Sequence, residues 1–469
     1  MKKLSELYAG YPDIDIKGIK INSKAVEPGD IFVCTMGISA DRHDFVDSAI
    51  ENGAVAIVAS KKIDVSVPVI YVENTNEELP LLCQKFYNYP DKNLELIAIT
   101  GTNGKTTTAQ LIQDLIGNDI CGYQGTNGII CKEFSESIVN TTPDSDRQYM
   151  YFDRFVKAGC KYMSMEISSE AFYRQRVKNL RFKIGIITNI TQDHLNIHKT
   201  IENYVSCKQQ LFRQVTNDGF SILNIDDKYY EDTRKVANGT ILTYGKKDSD
   251  LQIVNIDEEL TKTNITLKYK DELYNIESPL LGEFNVYNLC AGILALLSLN
   301  YEIDDIISRI PNIKVPHGRV EFLTYGQDYN ILLDYAHTPD AFNNLYKLLE
   351  KVKQQRIITV TGSAGGREHE KRPAMGKLVL DKSDYVIFTM DDPRNEDVNS
   401  IIDDLVSTSD KNNYERIIDR KDAIFKAFDM AQKDDIILIA GKGTDNYMAL
   451  GNEYVPYSDL DVINEYFKQ

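Results

Sequence analysis

The sequence predicts an α/β protein in three units: a small N-terminal α/β unit, a central P-loop unit with a parallel sheet, and a C-terminal Rossmann-like unit. Three observations predict this. The chain has 469 residues, enough for about three domains. An apolar run, Leu94–Thr100, feeds a glycine loop and then a helical pattern through Ile116. Beyond Arg319 four apolar strands alternate with helical segments, the rhythm of an open, mostly parallel sheet.

In the first unit, residues 1–90, the runs Ile31–Val33, Val55–Ala59 and Val69–Val72 read as short buried strands around a helix at Phe45–Asn52. Tyr89-Pro90-Asp91-Lys92 reads as a linker. The second unit, 91–318, adds strands at Tyr162–Ile167, Ile184–Ile190 and Ser221–Ile225, with a β-hairpin over the alternating stretch Leu251–Tyr269. The third unit, 319–469, has strands at Ile331–Asp334, Ile357–Thr361, Tyr385–Met390 and Asp435–Ala440. Each is followed by a polar or glycine-rich loop: DYAHTPD, GSAGGREHEKRP, DDPRNED and GKGTDN. Ligands gather at such strand ends.

Composition narrows the function. A net charge of −17, from 53 basic and 70 acidic residues, argues against nucleic acid and anionic membranes as partners. It permits a nucleotide ligand, because glycine loops and Mg²⁺ hold phosphate locally. Seven scattered cysteines without a CxxC pair suit a reducing cytosol and argue against structural zinc. The start, MKKLSELYAGYPDID, lacks the apolar core of a signal peptide, and no apolar run is long enough to span a bilayer. A cytoplasmic monomer is expected.

The loop Gly101-Thr102-Asn103-Gly104-Lys105-Thr106-Thr107 carries the strongest chemical signal. Its glycines let backbone N–H groups turn inward toward a phosphate chain at a helix N-terminus. Lys105 reaches terminal phosphates and the Thr106 hydroxyl holds Mg²⁺. Ile99 stands in place of the usual first glycine, and the alternative is a plain turn between strand and helix.

Thr200–Phe212 has a helical stripe of Ile201, Tyr204, Val205, Leu211 and Phe212, and Lys208 completes it. Such a lysine either snorkels to water or is desolvated. Desolvation favours the neutral amine, and a neutral amine can add CO₂, with release of a proton, to become a carbamate able to bind Mg²⁺. Glu166 ends one strand and His194 follows another, so both are expected at the edge that carries the P-loop, as metal ligands.

With these residues in place, the chain resembles the Mur ligases, ATP-dependent amide ligases of peptidoglycan precursor synthesis, and within them the MurE type. The ordered motifs are NSKAVEPGDIFV, GTNGKTTT, NTTPD, MEISS, TNITQDHL, YVSCKQQLF, GEFNVYN, HGRVE, DYAHTPDA, GGREHEKRP, DDPRNED and GKG. The resemblance implies ATP and Mg²⁺ as cofactors, with a second Mg²⁺ on Glu166, His194 and carbamylated Lys208. It implies nucleotide contacts from Asn288, Arg319 and Asp334. It implies that Ser23, Asn140, Thr141, Thr142, Ser168, Arg174 and Arg176 contact a UDP-N-acetylmuramoyl dipeptide. Arg367, Asp391, Asp392, Pro393, Arg394, Gly441 and Asp445 are implied at the site of the incoming amino acid.

Four departures from the family pattern stand out. Glu170 occupies a usual His position, Arg42 a common Gly, Asp392 an Asn, and Asp445 a longer Glu. The guanidinium of Arg394 suits a carboxylate, so meso-diaminopimelate, with its distal carboxylate, is expected over L-lysine. If Arg394 instead pairs with Glu396 or Asp397, then Asp392 and Asp445 are available for a lysine ammonium. A folylpolyglutamate-synthase-like ligase, a divergent paralogue and a non-ligating nucleotide-binding regulator are the competing readings. The first lacks a domain ahead of the P-loop, and the last has no need of a second metal site.

Overall fold

The computed structural model describes residues 1–37, 40–138, 140–259, 261–366, 369–443 and 445–468. Near the N-terminus, a parallel sheet of four strands runs Gly18–Lys20, Asp30–Val33, Ala56–Ala59, Val69–Tyr71. Its two inner strands are buried on both faces, which explains their unbroken apolar sequences. Phe32 and Ile57 pack against Val46 and Ala49 on one side. Ile31, Val33, Ala56 and Val58 face the other, where helix Thr75–Phe86 lies. That helix went unread in the sequence because Pro80 sits inside it. Yet Leu79, Leu82, Cys83 and Phe86 keep the spacing of one helical face and are buried, and Asn74 caps its start. It packs on helix Ser145–Lys157, joining this sheet to the next.

An 11-stranded sheet forms the middle of the molecule. Its parallel heart runs Cys121–Gly125, Tyr162–Glu166, Glu95–Thr100, Phe182–Ile187, Val215–Asn224, Thr240–Gly245. Because neighbouring parallel strands end on one edge, the glycine loop, Glu166 and the segment after Ile187 emerge side by side. Leu251–Glu258 and Thr263–Tyr269 form the expected hairpin, and Glu272–Ser278 extends it by one strand. The strand expected to reach Ile190 stops at Ile187. Beyond it Thr188 N still donates to Thr100 O, and the Thr188 and Asn189 side chains bond the P-loop.

The third sheet has six strands, in the order Glu321–Leu323, Asn330–Asp334, Ile436–Ala440, Ile357–Thr361, Tyr385–Phe388, Tyr414–Arg416. All but the first pairing are parallel. Helices Pro339–Val352, Arg372–Lys382 and Val398–Val406 cover one face, and Arg420–Met430 and Asp459–Lys468 the other. Tyr385–Phe388 ends two residues before the expected Met390, because Thr389 and Met390 bond Ile418. Among the described residues no helix is long and apolar enough to cross a membrane.

Candidate active site

The glycine loop lies between Glu95–Thr100 and helix Lys105–Ile116. Gly101 has φ 151° and Gly104 φ 87°. A Cβ at Gly101 would lie 1.9 Å from Thr188 Oγ1, and one at Gly104 2.3 Å from Asn288 Oδ1. Only glycine fits these positions. The loop is held from below: Thr102 N donates to Asn189 O at 2.8 Å, and Asn103 N to Asn189 Oδ1 at 3.0 Å.

Two lysine nitrogens converge on one carbonyl. Lys105 Nζ donates to Gly101 O at 3.0 Å and to Thr102 O at 2.8 Å. Lys208 Nζ donates to the same Gly101 O at 2.6 Å and lies 4.5 Å from the centre of the Tyr204 ring. Lys208 is 1% exposed, so it does not snorkel. Burial, reinforced by Lys105, pushes its pKa well below the ordinary lysine value, and Asp193 opposes this only in part. Burial lowers Lys105 too, against the pull of Glu166 and Asp193. Burial thus weakens the hold of Lys208 on its proton.

Glu166 is fully buried at its strand end. Its Oε1 accepts from Tyr123 Oη at 2.7 Å and Thr126 N at 2.9 Å, and its Oε2 from Thr106 Oγ1 at 3.0 Å. Tyr123 comes from the strand Cys121–Gly125 and Thr126 from the turn after it, and neither left a local sequence signal. Arg319, which enters from the opposite side, donates from Nη2 to Thr106 Oγ1 at 3.3 Å. Its guanidinium lies 4.4 Å from the Tyr335 ring centre, and its buried Nε has no hydrogen-bond partner among the described residues. An unpartnered buried donor beside a phosphate-type loop fits an anionic ligand.

His194 has φ 54° and is half exposed, with Nε2 3.4 Å from Asp193 Oδ2. Its ring centre lies 6.3 Å from that of Tyr204, which connects it to the Lys208 side of the site. Asp193, next to His194 in the sequence, is the acid that faces both lysines; the sequence reading passed over it.

A cavity of about 920 Å³ opens beside the loop, lined by Asn189, Asn224, Tyr287 and Asn288 on one side and Asp340, Asn344 and Lys347 on the other. Asn103 Nδ2 bridges the two sides through Asp340 Oδ2 at 2.8 Å, and Lys351 pairs with Glu258. Asn288 is buried at the cavity wall, bonded to Asn285 at 2.9 Å. Asp334 spends both oxygens on backbone, accepting from Val320 N at 2.8 Å and Ala336 N at 2.7 Å. It thus shapes the loop that carries Arg319.

A second cleft, about 740 Å³, is lined by Ser23, Arg42, Asp144, Arg174 and Arg176. Arg176 Nε donates to Asp144 at 2.6 Å, and Arg174 pairs with Glu170 at 2.6 Å. Thr142 Oγ1 donates to Glu166 O at 2.9 Å and accepts from Ser168 N at 3.1 Å. Ser168 caps the next helix, Thr141 Oγ1 lies 3.2 Å from Thr126 Oγ1, and Asn140 is exposed.

The third-sheet loops bring Asp391, Asp392, Pro393, Arg394, Gly441 and Asp445 together; Arg367 lies outside the described residues. The acids do not form an open anionic pocket. Lys442, 0% exposed, donates to Asp392 Oδ1 at 2.7 Å and sits 3.4 Å from Asp445 Oδ2. Burial pushes Asp445 up to about 6 and raises Asp391 as well, against Arg420 and Lys442. Arg394 donates from Nη1 to Gly365 O at 2.7 Å. Its sequence neighbours are engaged elsewhere: Glu396 accepts from Arg372 at 2.6 and 2.8 Å, and Asp397 caps a helix. Asp392 and Arg394 hold φ of 45° and 52°, a strain of roughly 1–3 kcal/mol each that loops retain where they serve ligands.

Family models match almost the whole of this arrangement. The Mur ligase family catalytic domain matches residues 15–97, the Mur ligase middle domain 99–296, and the Mur ligase glutamate ligase domain 318–443. The UDP-N-acetylmuramoyl-L-alanyl-D-glutamate–2,6-diaminopimelate ligase of Bacillus cereus is 38% identical over 460 residues, covering 96% of this chain and 94% of that protein. The protein of the same name from Aquifex aeolicus is 37% identical, covering 96% and 93%. A solved structure of such a ligase superposes with a TM-score of 0.68 at 28% identity, over 100% of this chain and 99% of that one. Folylpolyglutamate synthase of Mycobacterium tuberculosis, at 15% identity and TM-score 0.66, shares the fold over 78% of this chain and 92% of its own. The chain belongs to the Mur ligase family.

Proposed function

We propose that this chain is an ATP-dependent, ADP-forming amide ligase that joins meso-diaminopimelate to UDP-N-acetylmuramoyl-L-alanyl-D-glutamate in peptidoglycan precursor synthesis. The observation that carries this reading is the bond series Arg319–Thr106–Glu166 at the mouth of the glycine loop. It joins a half-satisfied guanidinium, a P-loop hydroxyl and a buried carboxylate at one point. The names of the Bacillus cereus and Aquifex aeolicus relatives supply the substrates. In this reading residues 1–90 bind the sugar nucleotide, 91–318 the ATP and 319–469 the amino acid.

The chemistry follows from the poor reactivity of a carboxylate. An oxygen of the D-glutamyl carboxylate bonds to the γ-phosphorus of ATP, and ADP leaves. The amine of the amino acid then attacks the acyl carbon; phosphate leaves and the amine's proton passes to solvent or base. Lys105 and Arg319 offset the charge of phosphoryl transfer, and the loop N–H groups orient the phosphates. Thr106, Glu166, His194 and Lys208 are the residues that would hold Mg²⁺, which neutralises phosphate charge when bound. An ammonium at Lys208 repels such an ion. The buried lysine fits once it has lost its proton and added CO₂, because the resulting carbamate offers the hard oxygen donors that Mg²⁺ prefers. Closure of the Asn103–Asp340 bridge excludes water that would hydrolyse the acyl phosphate.

Two contacts favour meso-diaminopimelate over lysine. Lys442 already compensates Asp392 and Asp445, so a substrate ammonium gains less there. Arg394 is unpaired with Glu396 and Asp397, leaving guanidinium donors for a distal carboxylate. The test mixes the purified protein with ATP, the UDP-muramoyl dipeptide and either amino acid, then reads ADP and product mass. The expected result is one ADP per diaminopimelate adduct. Equal or faster ligation of L-lysine overturns the choice of amino acid, and no ADP with any diamino acid overturns the ligase reading.

A further inference from the structure

Strands Tyr162–Glu166 and Phe182–Ile187 flank Glu95–Thr100, the strand that leads into the glycine loop. Beyond each flanking strand the chain carries one of the residues that would hold a metal, Glu166 and His194. After Glu166 it passes through the cap Ser168 into helix Ser169–Tyr173. After His194 it forms helix Leu195–His198. One side-chain bond ties these two segments across the loop strand. His198 Nε2 lies 2.9 Å from Ser169 Oγ, and both residues are buried.

The helix that carries His198 needs support. It has four residues, and His194 and Lys199 at its two ends hold φ of 54° and 68°, a left-handed region that side chains disfavour. Such backbone persists where its surroundings over-determine it. His198 is where the surroundings take hold. Its N donates to His194 O at 3.0 Å, and its O accepts from Asn203 Nδ2 at 3.0 Å. Its ring packs against Tyr173 and Tyr204, with centres 5.7 and 5.3 Å away. Tyr204 Oη in turn lies 3.1 Å from Thr102 Oγ1 in the glycine loop. The other ring nitrogen of His198, Nδ1, is buried with no hydrogen-bond partner among the described residues. For packing alone an apolar ring serves better, because it orphans no nitrogen. What the imidazole adds is the bond to Ser169.

We propose that His198 is a positioning residue of the ligase: through Ser169 it fixes the spacing of Glu166 and His194, and so the divalent-cation site they would complete with Lys208. This rests on the function proposed above. A metal site needs its ligands held to within about 0.5 Å, and groups that orient the ligands without touching the ion govern affinity strongly. The turn after Glu166 is braced on one side by Thr142, whose Oγ1 donates to Glu166 O and accepts from Ser168 N. The His198 bond supplies a second brace, from the segment that carries His194.

The experiment titrates the full chain with Mn²⁺ in the presence of ATP and bicarbonate, reading free Mn²⁺ by electron paramagnetic resonance. The proteins are the wild type, His198→Ala, His198→Gln, Ser169→Ala and the double alanine variant. ATP binding in EDTA checks that each is folded, and Ser169→Ala, which removes a single hydroxyl, keeps the test readable if His198→Ala is unstable. The wild type is expected to bind two ions. In each single alanine variant the affinity for one of them is expected to fall about tenfold, with the other unchanged. The double variant is expected to lose no more than either single one, since all three lack the same bond. His198→Gln, whose amide can still meet Ser169, is expected to stay within about threefold of the wild type. Wild-type Mn²⁺ affinity in the alanine variants overturns the role of His198, as do additive losses in the double variant or a wild type that binds one ion. The titration uses neither dipeptide nor diamino acid, so its failure is distinct from a failure to release ADP, which overturns the proposed function instead.

Discussion

Lys208 and Lys442 are both almost wholly buried, yet they sit in opposite company. Lys442 lies between two carboxylates, Asp392 and Asp445, at the loop edge of the third sheet. Lys208 lies at the central loop edge, bonded to a peptide carbonyl that it shares with Lys105. A buried charge needs a partner, and where none is close the group gives up its proton instead. Lys442 is thus a fixed structural charge that tunes a pocket. In the proposed mechanism Lys208 is the amine that adds CO₂ to become a metal-binding carbamate.

The largest expected effect follows from removing the reactive member. Lys208→Ala is expected to cut turnover by at least about a thousandfold while ATP affinity stays within about threefold, read by ADP release and by calorimetry. Partial rescue by short carboxylic acids sharpens the case; full activity returns Lys208 to a packing role. Lys442→Met breaks the structural member. It leaves two carboxylates uncompensated, and chemical denaturation is expected to register a loss of about 3 kcal/mol. An unchanged midpoint would erase the contrast between the lysines.

The pH dependence tests the same pocket more gently. Asp445 titrates near 6 in the folded chain, against an ordinary value of 3.8. The folded state therefore holds a proton that the unfolded state releases at lower pH. Stability from this group is gained as pH falls from about 6 to about 4 and is absent above 6, amounting to roughly 2–3 kcal/mol. Asp445→Asn is expected to flatten the stability curve in that window, and an unchanged slope contradicts the assignment. The smallest effect belongs to the bridge between the second and third sheets. Asn103→Ala is expected to raise the KM for ATP about fivefold, one hydrogen bond's worth, with folding stability little changed.

How far the chain could be read without coordinates follows the same division between local and distant causes. The glycine loop was legible because strand, turn and helix are adjacent in sequence and each has its own pattern. Lys208 was legible as an oddity on an apolar stripe, but its burial was not, since that depends on Tyr204 and Gly101 closing over it. Helix Thr75–Phe86 was hidden by Pro80. Strand Glu272–Ser278 was hidden because its exposed half carries polar residues on an antiparallel edge. Glu166 was anticipated, but Tyr123 and Thr126 were not, because they reach it only through strand order. Lys442 lies in the motif GKG, and only the fold shows that it fills the acidic pocket that would otherwise take a substrate lysine.

The role proposed for Lys208 rests on one modification. ¹³C NMR of the protein equilibrated with ¹³C-bicarbonate and Mg²⁺ reads it directly. The account predicts a bound carbamate resonance in the wild type that is absent from Lys208→Ala. A ligating wild-type protein without that resonance, or a resonance that survives the substitution, would contradict it.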